Sequence, residues 1–330
     1  MTAVGGETVR MATELRLPLD RSSFGRLTEP LRRDLLLHCY RFTGSMTDAE
    51  DLVQETLARA WRGRATYRGD AGLRTWLRRI ATRTCLDELR RHPSRRTLPS
   101  AVGGGETSEL LWLEPMPDHL LADADNDPAA AYEARESVTL AFQVALQRLP
   151  PRQRAVLILR DVLALHAAEV AEQLGVSVSA VNSLLHRARR TMGARYERPA
   201  EPAAGDRQHA ALLRRYVRAW ESGDVDALLA ILRADATLEM PPIPQASVGH
   251  AAIRAFLAGS ILDGTPGRWR ATTTGANGRP AVALYAREGA GYRFSGLQLL
   301  HVERGAVATV TAYMDAALAR RFGLPSQLTA

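Results

Sequence analysis

The side chains best placed to do chemistry stand between Leu165 and Arg190, in LHAAEVAEQLGVSVSAVNSLLHRARR. Val170, Ala171 and Leu174 put small or apolar groups on one face of a first helix. Gly175 supplies a turn, where a positive φ is cheap for glycine. Ser177 or Ser179 can cap a second helix, whose Val181, Leu184 and Leu185 recur at three- and four-residue spacing and define a buried face. The opposite face carries Ser179, Ala180, Asn182, Ser183, His186 and Arg187, with Arg190 at a basic exit. Hydroxyl, amide, imidazole and guanidinium groups in that pattern can bond base edges and phosphates in a major groove, as a helix-turn-helix does. An ordinary helical hairpin with a solvated charged face has the same periodicity.

A second constellation lies upstream. Leu73–Arg91, LRTWLRRIATRTCLDELRR, reads as one long helix. Leu73, Trp76, Leu77, Ile80, Cys85, Leu86 and Leu89 face inward, and Arg74, Arg78, Arg79, Arg83 and Arg90 stay outside. Tyr67, Arg68, Gly69 and Asp70 form a loop before it. Arginines can track a single-stranded backbone while an unstacked base rests beside an aromatic ring. Before that loop, DAEDLVQETLARAW (Asp48–Trp61) predicts a helix with Thr47 or Asp48 as N-cap and acids in its first turn. Its Leu52, Val53, Thr56, Leu57 and Ala60 line a buried side, and Leu31–Phe42 predicts another amphipathic helix.

These helices must be positioned by a chain of 330 residues, enough for two or three domains. Net charge is +7 and every basic residue other than histidine is arginine, which suits a polyanionic partner, although codon usage alone accounts for the absence of lysine. Cys39 and Cys85 are too few for a disulfide framework or a zinc site, so no metal or cofactor is expected. The N-terminus lacks a signal-peptide core, and no apolar run approaches the roughly 20 residues of a membrane span. A soluble, cytoplasmic protein with no membrane partner is expected.

Charge divides the chain. Arg59–Arg96 holds twelve arginines against three acids, whereas Glu106–Glu136 holds nine acids and one arginine. The acidic stretch, with Gly103–Gly105 and Pro115, Pro117 and Pro128, reads as an extended linker with one short helix. RPAEPAAGD (Arg198–Asp206) marks a second break. Beyond it, helices are predicted at Gln208–Glu221, Val225–Arg233 and Gly249–Ala258. Strands are predicted at Ala236–Met240, where Pro241 and Pro242 stop the run, and at Trp269–Thr274, Ala281–Ala286, Tyr292–Val302 and Ala306–Tyr313. Helices followed by such strands suggest an α+β layer fold with a curved antiparallel sheet. Asp235, His250, Trp269, Tyr285 and Tyr313 could approach a pocket there and supply a general base; equally, Asp235 caps a turn and His250 merely opens a helix.

Four ordered motifs carry a resemblance: DAEDLVQETLARAW, YRGDAGLRTWLRRIATRTCLDELRR (Tyr67–Arg91), LPPRQRAVLILRDV (Leu149–Val162) and the helix-turn-helix. Through them residues 26–196 resemble a bacterial RNA polymerase sigma factor of the extracytoplasmic-function group. The resemblance implies that Asp48, Glu50, Asp51, Leu52, Gln54 and Glu55 dock on the polymerase β′ coiled coil. It implies that Tyr67, Arg68, Gly69 and Asp70 capture a flipped −10 base, with Arg74, Trp76, Arg79 and Arg83 aiding strand opening. Ser179, Asn182, Ser183, His186, Arg187 and Arg190 would read the −35 element. Family members often carry lysine and arginine where this chain has Asn182 and Leu184, so two phosphate contacts are missing. The acidic linker would thread toward the polymerase active site and the RNA exit path.

VRAWESGDVDALLAILRADATLEMPP and GHAAIRAFL resemble the SnoaL-like cone-shaped fold of polyketide cyclases and nuclear transport factors. LWLEPMPDHLL (Leu111–Leu121) is similar to the Trp-Leu-x-Pro linker element of sigma factors with such a tail, which implies that Trp112, Leu113 and Pro115 contact it. The expected fold is multidomain: two all-α sigma domains, the second a helix-turn-helix, joined by an acidic linker and followed by an α+β SnoaL-like domain. Its boundaries are an N-terminal tail 1–25, sigma domain 2 at 26–96, linker 97–130, sigma domain 4 at 131–198, linker 199–207 and tail domain 208–326. The implied partners are core RNA polymerase through β′ and β, promoter DNA, and a small-molecule or protein regulator of the tail. The implied function is transcription initiation, not catalysis. Two other readings stay open: a one-component ligand-sensing DNA-binding regulator, and a fusion whose tail has isomerase- or cyclase-type activity.

Overall fold

The computed structural model describes residues 20–67, 69, 72–92, 97–100, 108–111, 113–121, 137–193, 206–241 and 243–329; Arg68, Asp70 and Trp112 lie outside them. The chain divides into two compact units, Met1–Arg95 with Ala141–Tyr196 and Arg96–Leu140 with Glu197–Ala330.

The first unit is all helical: α1 (Arg21–Thr28), α2 (Arg32–Thr43), α3 (Met46–Arg62), α4 (Leu73–Arg91), α5 (Leu140–Gln147), α6 (Pro151–Leu157) running into a π turn (Ile158–Val162), α7 (Ala167–Leu174) and α8 (Val178–Gly193). Asp20 caps α1 by accepting from Ser23 N at 2.7 Å, and Phe24 packs edge-on against Trp61 at 5.4 Å. Residues 21–25 therefore belong to the helical domain, not to the expected N-terminal tail. Ser45, rather than Thr47 or Asp48, caps α3, because its Oγ accepts from Asp48 N at 3.1 Å. Gly44 at φ 65° makes the reversal that brings α3 back onto α2. Helix α2 packs against both α3 and α4, so its last turns are buried all round, from His38 to Thr43, where an amphipathic helix was predicted. Arg78, expected outside, is half-buried and holds Asp34 with two hydrogen bonds, Nε to Oδ2 at 2.8 Å and Nη2 to Oδ1. Cys39 and Cys85 are buried free thiols; burial pushes the Cys85 thiol up, so the two serve as packing groups.

The second unit takes in the expected linker. Strands β1 (Thr97–Ser100) and β2 (Ser108–Leu111) pair as a hairpin, and a 3₁₀ turn spans Asp118–Leu121. The predicted extended segment is thus partly a sheet, and residues 137–140 side with this unit rather than with the helix-turn-helix domain. The tail comprises α9 (Asp206–Ser222), α10 (Val225–Leu229), β3 (Leu232–Met240), β4 (Ile243–Val248), α11 (Gly249–Ser260), β5 (Trp269–Ala276), β6 (Arg279–Glu288), β7 (Gly291–Glu303), β8 (Ala306–Tyr313), α12 (Ala317–Arg321) and β9 (Gln327–Thr329). The sheet runs β4-β3-β8-β7-β6-β5, with β9 on β7.

Three tail predictions are corrected. The helix predicted to Arg233 ends at Leu229, because Leu232 already pairs with Val307 of β8. The strand predicted at Ala236–Met240 does stop at Met240, before Pro241, but it already starts at Leu232, and an unpredicted β4 pairs with it, the register shifting between Glu239 and Met240. The ordered tail outruns 208–326, since α9 begins at Asp206 and β9 reaches Thr329.

Period-two alternation splits the core into two faces. Along β6, Val282 and Leu284 join Tyr216, Trp220 and Ile253 under the helices, whereas Ala281, Ala283 and Tyr285 join Phe294, Leu318 and Phe322 on the other side. Under the helices Trp220 meets Trp269 edge-to-face at 5.4 Å, and Tyr216 Oη donates to Gln298 Oε1 at 2.7 Å. Among the described residues no helix is long and apolar enough to cross a membrane.

Candidate nucleic-acid interface and linker seat

Helix α8 is built to present one polar face. Ser177 Oγ accepts from Ala180 N at 3.1 Å, so Ser177 is the cap rather than Ser179, and Gly175 takes φ 65° before it. Val181 and Leu185 sink into a cluster with Val156, Leu159, Val170 and Ala171. That packing leaves Ser179, Asn182, Ser183, His186, Arg187 and Arg190 exposed together. Among the described residues none of these six side chains has a hydrogen-bond or ion-pair partner, whereas neighbouring Arg189 donates twice to Asp161, at 3.0 and 2.7 Å.

The other sites are more entangled. Asp51, Gln54 and Glu50 are exposed on α3 and Asp48 is half-buried, whereas Leu52 is 5% exposed, packs inward and reaches the surface only in the cleft that Asp48 and Asp51 also line. Glu55 accepts from Arg59 at 2.7 Å and sits 3.4 Å from Arg62, and these guanidinium groups, Arg59 first, hold its carboxyl below the usual range. Asp48, Asp51, Glu55 and Glu88 line a cleft of about 260 Å³ with Arg59, Arg91 and His92. Tyr67 lies on Trp76 with ring centroids 5.0 Å apart, and burial pushes its phenol up. Gly69, two residues after Tyr67, takes φ 77°. Arg74 and Arg83 are exposed, but Arg79 is paired with Glu172 of α7 at 2.9 Å.

Residues that sequence reasoning missed tie the two helical regions together. Thr82 Oγ1 donates to Arg78 O at 2.9 Å and accepts from Gln173 Nε2 at 2.8 Å. A hydroxyl has one proton to give, so His38 Nε2, 2.9 Å away, is the donor on that side. Burial first, then Arg78 and Arg41, lowers His38 to about 3, which keeps the ring neutral. Arg154, 5% exposed, donates to Phe42 O at 2.5 Å, to Gln147 Oε1 and O at 2.6 Å each, and to Leu149 O at 3.2 Å. A polar Gln173 flanking the stripe of Val170 and Leu174 was the one available signal; nothing in the sequence pairs it with Thr82.

In the second unit the linker peptide has a seat. Asn277 and Gly278, at φ 53° and 70°, form the turn between β5 and β6. Asn277 Oδ1 accepts from Met116 N and Asn277 N donates to Met116 O, both at 2.9 Å. Asn277 Nδ2 donates to Val138 O at 2.6 Å, and Gly278 N donates to Asp118 Oδ1 at 2.7 Å. A Cβ at Gly275 would lie 2.4 Å from Asp118 Oδ2, so the close approach needs glycine. Arg321 on α12 holds Glu114 at 3.1 Å with both side chains largely covered. Leu113, Pro115 and Met116 are all buried. The Asn-Gly dipeptide is legible as a turn, but its second use as a clamp is not.

The tail residues proposed to share a pocket do not meet. Asp235 is exposed on β3 and paired with Arg233 at 2.8 Å, not capping a turn. His250 Nε2 lies 3.2 Å from Leu232 O, and Trp269 Nε1 donates to Ile261 O at 3.0 Å under the helices. Tyr285 and Tyr313 lie in the cluster on the opposite face of the sheet.

Two helical regions, one a helix-turn-helix, and an α+β domain that holds the peptide Leu113–Leu121 define a modular protein of the helix-turn-helix class. Sigma-70 region 2 matches residues 27–95, sigma-70 region 4 matches 139–192, and the SnoaL-like domain matches 213–310. The ECF RNA polymerase sigma factor SigG of Mycobacterium tuberculosis is 46% identical over 95% of this chain and 87% of its own length. SigJ of the same organism is 34% identical over 72% of this chain and 73% of its own. The crystal structure of SigJ superposes with a TM-score of 0.57 at 27% identity, covering 91% of this chain and 99% of that one. The chain belongs to the extracytoplasmic-function RNA polymerase sigma factors and carries a SnoaL-like tail.

Proposed function

We propose that this sigma factor docks on core RNA polymerase through the polar face of α3 that carries Asp48, Glu50, Asp51 and Gln54, with the β′ and β subunits as partners. The Tyr67–Trp76 region with Arg74 and Arg83 then engages the −10 element, and the polar face of α8 reads the −35 element. The tail regulates rather than catalyses: its grip on Leu113–Leu121 sets how readily the two reading regions act together, and a small molecule or a protein that alters that grip is the inducing input. The observation that carries the DNA-reading part is the contrast on α8, where six polar side chains are held out on a packed helix without partners among the described residues. The dispersal of Asp235, His250, Trp269, Tyr285 and Tyr313 supports a holding role for the tail.

Run-off transcription with core polymerase tests all three parts. Asp51→Arg abolishes core binding if α3 docks; unchanged binding removes that assignment. Asn182→Ala shifts preference among −35 sequences. Asn277→Ala changes transcript yield at least threefold, in either direction, at unchanged core affinity; identical yield takes the tail out of regulation.

A further inference from the structure

Helix α9 carries a face that its own domain does not use. Leu212, Tyr216, Ala219 and Trp220 are buried. At about 100° per residue, Ala211, Arg214, Arg215, Arg218 and Ser222 share an arc of about 100°, and all five are exposed. Among the described residues none of the three guanidinium groups has an acidic partner; Arg218 Nε donates only to Arg214 O, at 3.3 Å. Glu221, on the same helix, leans to β5, where it accepts from Ala271 N at 3.4 Å and lies 3.8 Å from Arg270. Elsewhere in this domain Arg233 pairs with Asp235, Arg254 with Asp226, Arg268 with Asp263 and Arg293 with Glu288, and the exposed Arg287, Arg304 and Arg320, which have no acidic partner among the described residues, stand one each on β6, the β7–β8 turn and α12. The α9 arc differs in gathering three uncompensated guanidinium groups on one helix face.

We propose that the Arg214, Arg215 and Arg218 face of α9 binds the phosphate backbone of duplex DNA beside the −35 element, giving the sigma factor a third DNA contact. The proposal rests on α8 being the −35-reading helix. Guanidinium groups match phosphate oxygens two at a time. Arg214 and Arg218 stand about 6 Å apart along the helix axis, so the face can touch more than one phosphate. Chain length brings the face within reach. Thirteen residue steps separate Gly193, the end of α8, from Asp206. Fully extended at about 3.5 Å each they span roughly 45 Å, or about a dozen base pairs at about 3.4 Å per pair. Tethering turns a weak three-arginine contact into an intramolecular one. Charge complementarity selects DNA phosphate over an acidic protein surface, because DNA is the polyanion that α8 already holds nearby.

The test uses holoenzyme with the full chain and two promoter fragments, one ending at the upstream edge of the −35 element and one about 20 base pairs longer. Wild type should bind the longer fragment on the order of tenfold more tightly at low salt. Its salt slope on that fragment should be steeper by about 2–3. Two unrelated upstream sequences should give the same gain, as backbone contacts require. R214A/R215A/R218A, at unchanged melting temperature, should lose the gain and match wild type on the short fragment. Equal wild-type affinity for both fragments, or a gain that survives the triple substitution, overturns the proposal. So does a variant that loses core polymerase irrespective of DNA, since the face would then serve a protein. Wild type that fails to bind even the short fragment overturns the α8 reading instead, and this proposal with it.

Discussion

The outward face of α8 and the β5–β6 turn use the same side chain in opposite ways. Asn182 is exposed on α8 and has no partner among the described residues. Asn277 is fully buried; its Oδ1 and backbone N bond Met116 of the linker segment, and its Nδ2 bonds Val138 O. Buried polar groups are satisfied because an unmade bond costs the whole desolvation of the group. Polar groups held out are satisfied by water and stay available to an outside partner, whereas filled ones mark where the chain holds itself. Substitution at the first kind should cost recognition and spare stability, and substitution at the second should do the reverse.

The largest loss of stability is expected at Arg154, which serves carbonyls on α2 and around α5 from a buried position. Arg154→Met should destabilise the first unit by about 3 kcal/mol, read by urea denaturation. A loss below about 1 kcal/mol would mean those carbonyls find other donors. Asn277→Ala comes next, at about 2 kcal/mol, with faster proteolysis within Leu113–Leu121. Asn277→Gly relieves the positive φ but not the missing amide, so it should recover only the backbone part; full recovery would show that the clamp is strain, not hydrogen bonding.

The His38 ring follows. Its folded value is lowered to about 3 from 6.5, so the neutral ring contributes its full stability above pH 6.5. That contribution is lost as pH falls toward 3, with about 2 kcal/mol gone by pH 5. His38→Gln should flatten this part of the pH–stability curve; an unchanged acid limb would place the sensitivity elsewhere. The smallest stability effects are expected on α8. Asn182→Ala and Arg187→Ala should stay within about 0.5 kcal/mol of wild type. Asn182→Ala should nonetheless change discrimination at one −35 base by about 1–3 kcal/mol, and Arg187→Ala should lower the salt slope by about 1 for every sequence. A stability loss above about 1 kcal/mol at either would make that face structural and erase the contrast.

Legibility followed the range of the interaction. The α4 boundaries, Leu73–Arg91, match the prediction, and Val181 and Leu185 are buried as their spacing required, because helical periodicity is a property of neighbours along the chain. The misread pieces all depend on distant partners. Residues 232–233 read as helix until β8 offers a ladder to Leu232. The acidic stretch reads as linker because Thr97–Ser100 and Ser108–Leu111 are too short to announce a hairpin. Leu52 looks like part of an acidic surface, yet its position on α3 turns it inward.

By itself the sequence determined the kinds of element, the charge division along the chain and the family, since motif order and spacing survive without any contact being known. It also determined which polar side chains share a helix face, because 3.6 residues per turn does not depend on context. Only the tertiary structure decided which of those side chains are occupied. Arg79 meets Glu172, Thr82 meets His38 and Gln173, and Asn277 closes on Met116 and Val138, each across a long stretch of chain. Hydrogen bonds need atoms within about 3 Å and in line, and packing of separate helices and strands, not local propensity, brings such atoms together.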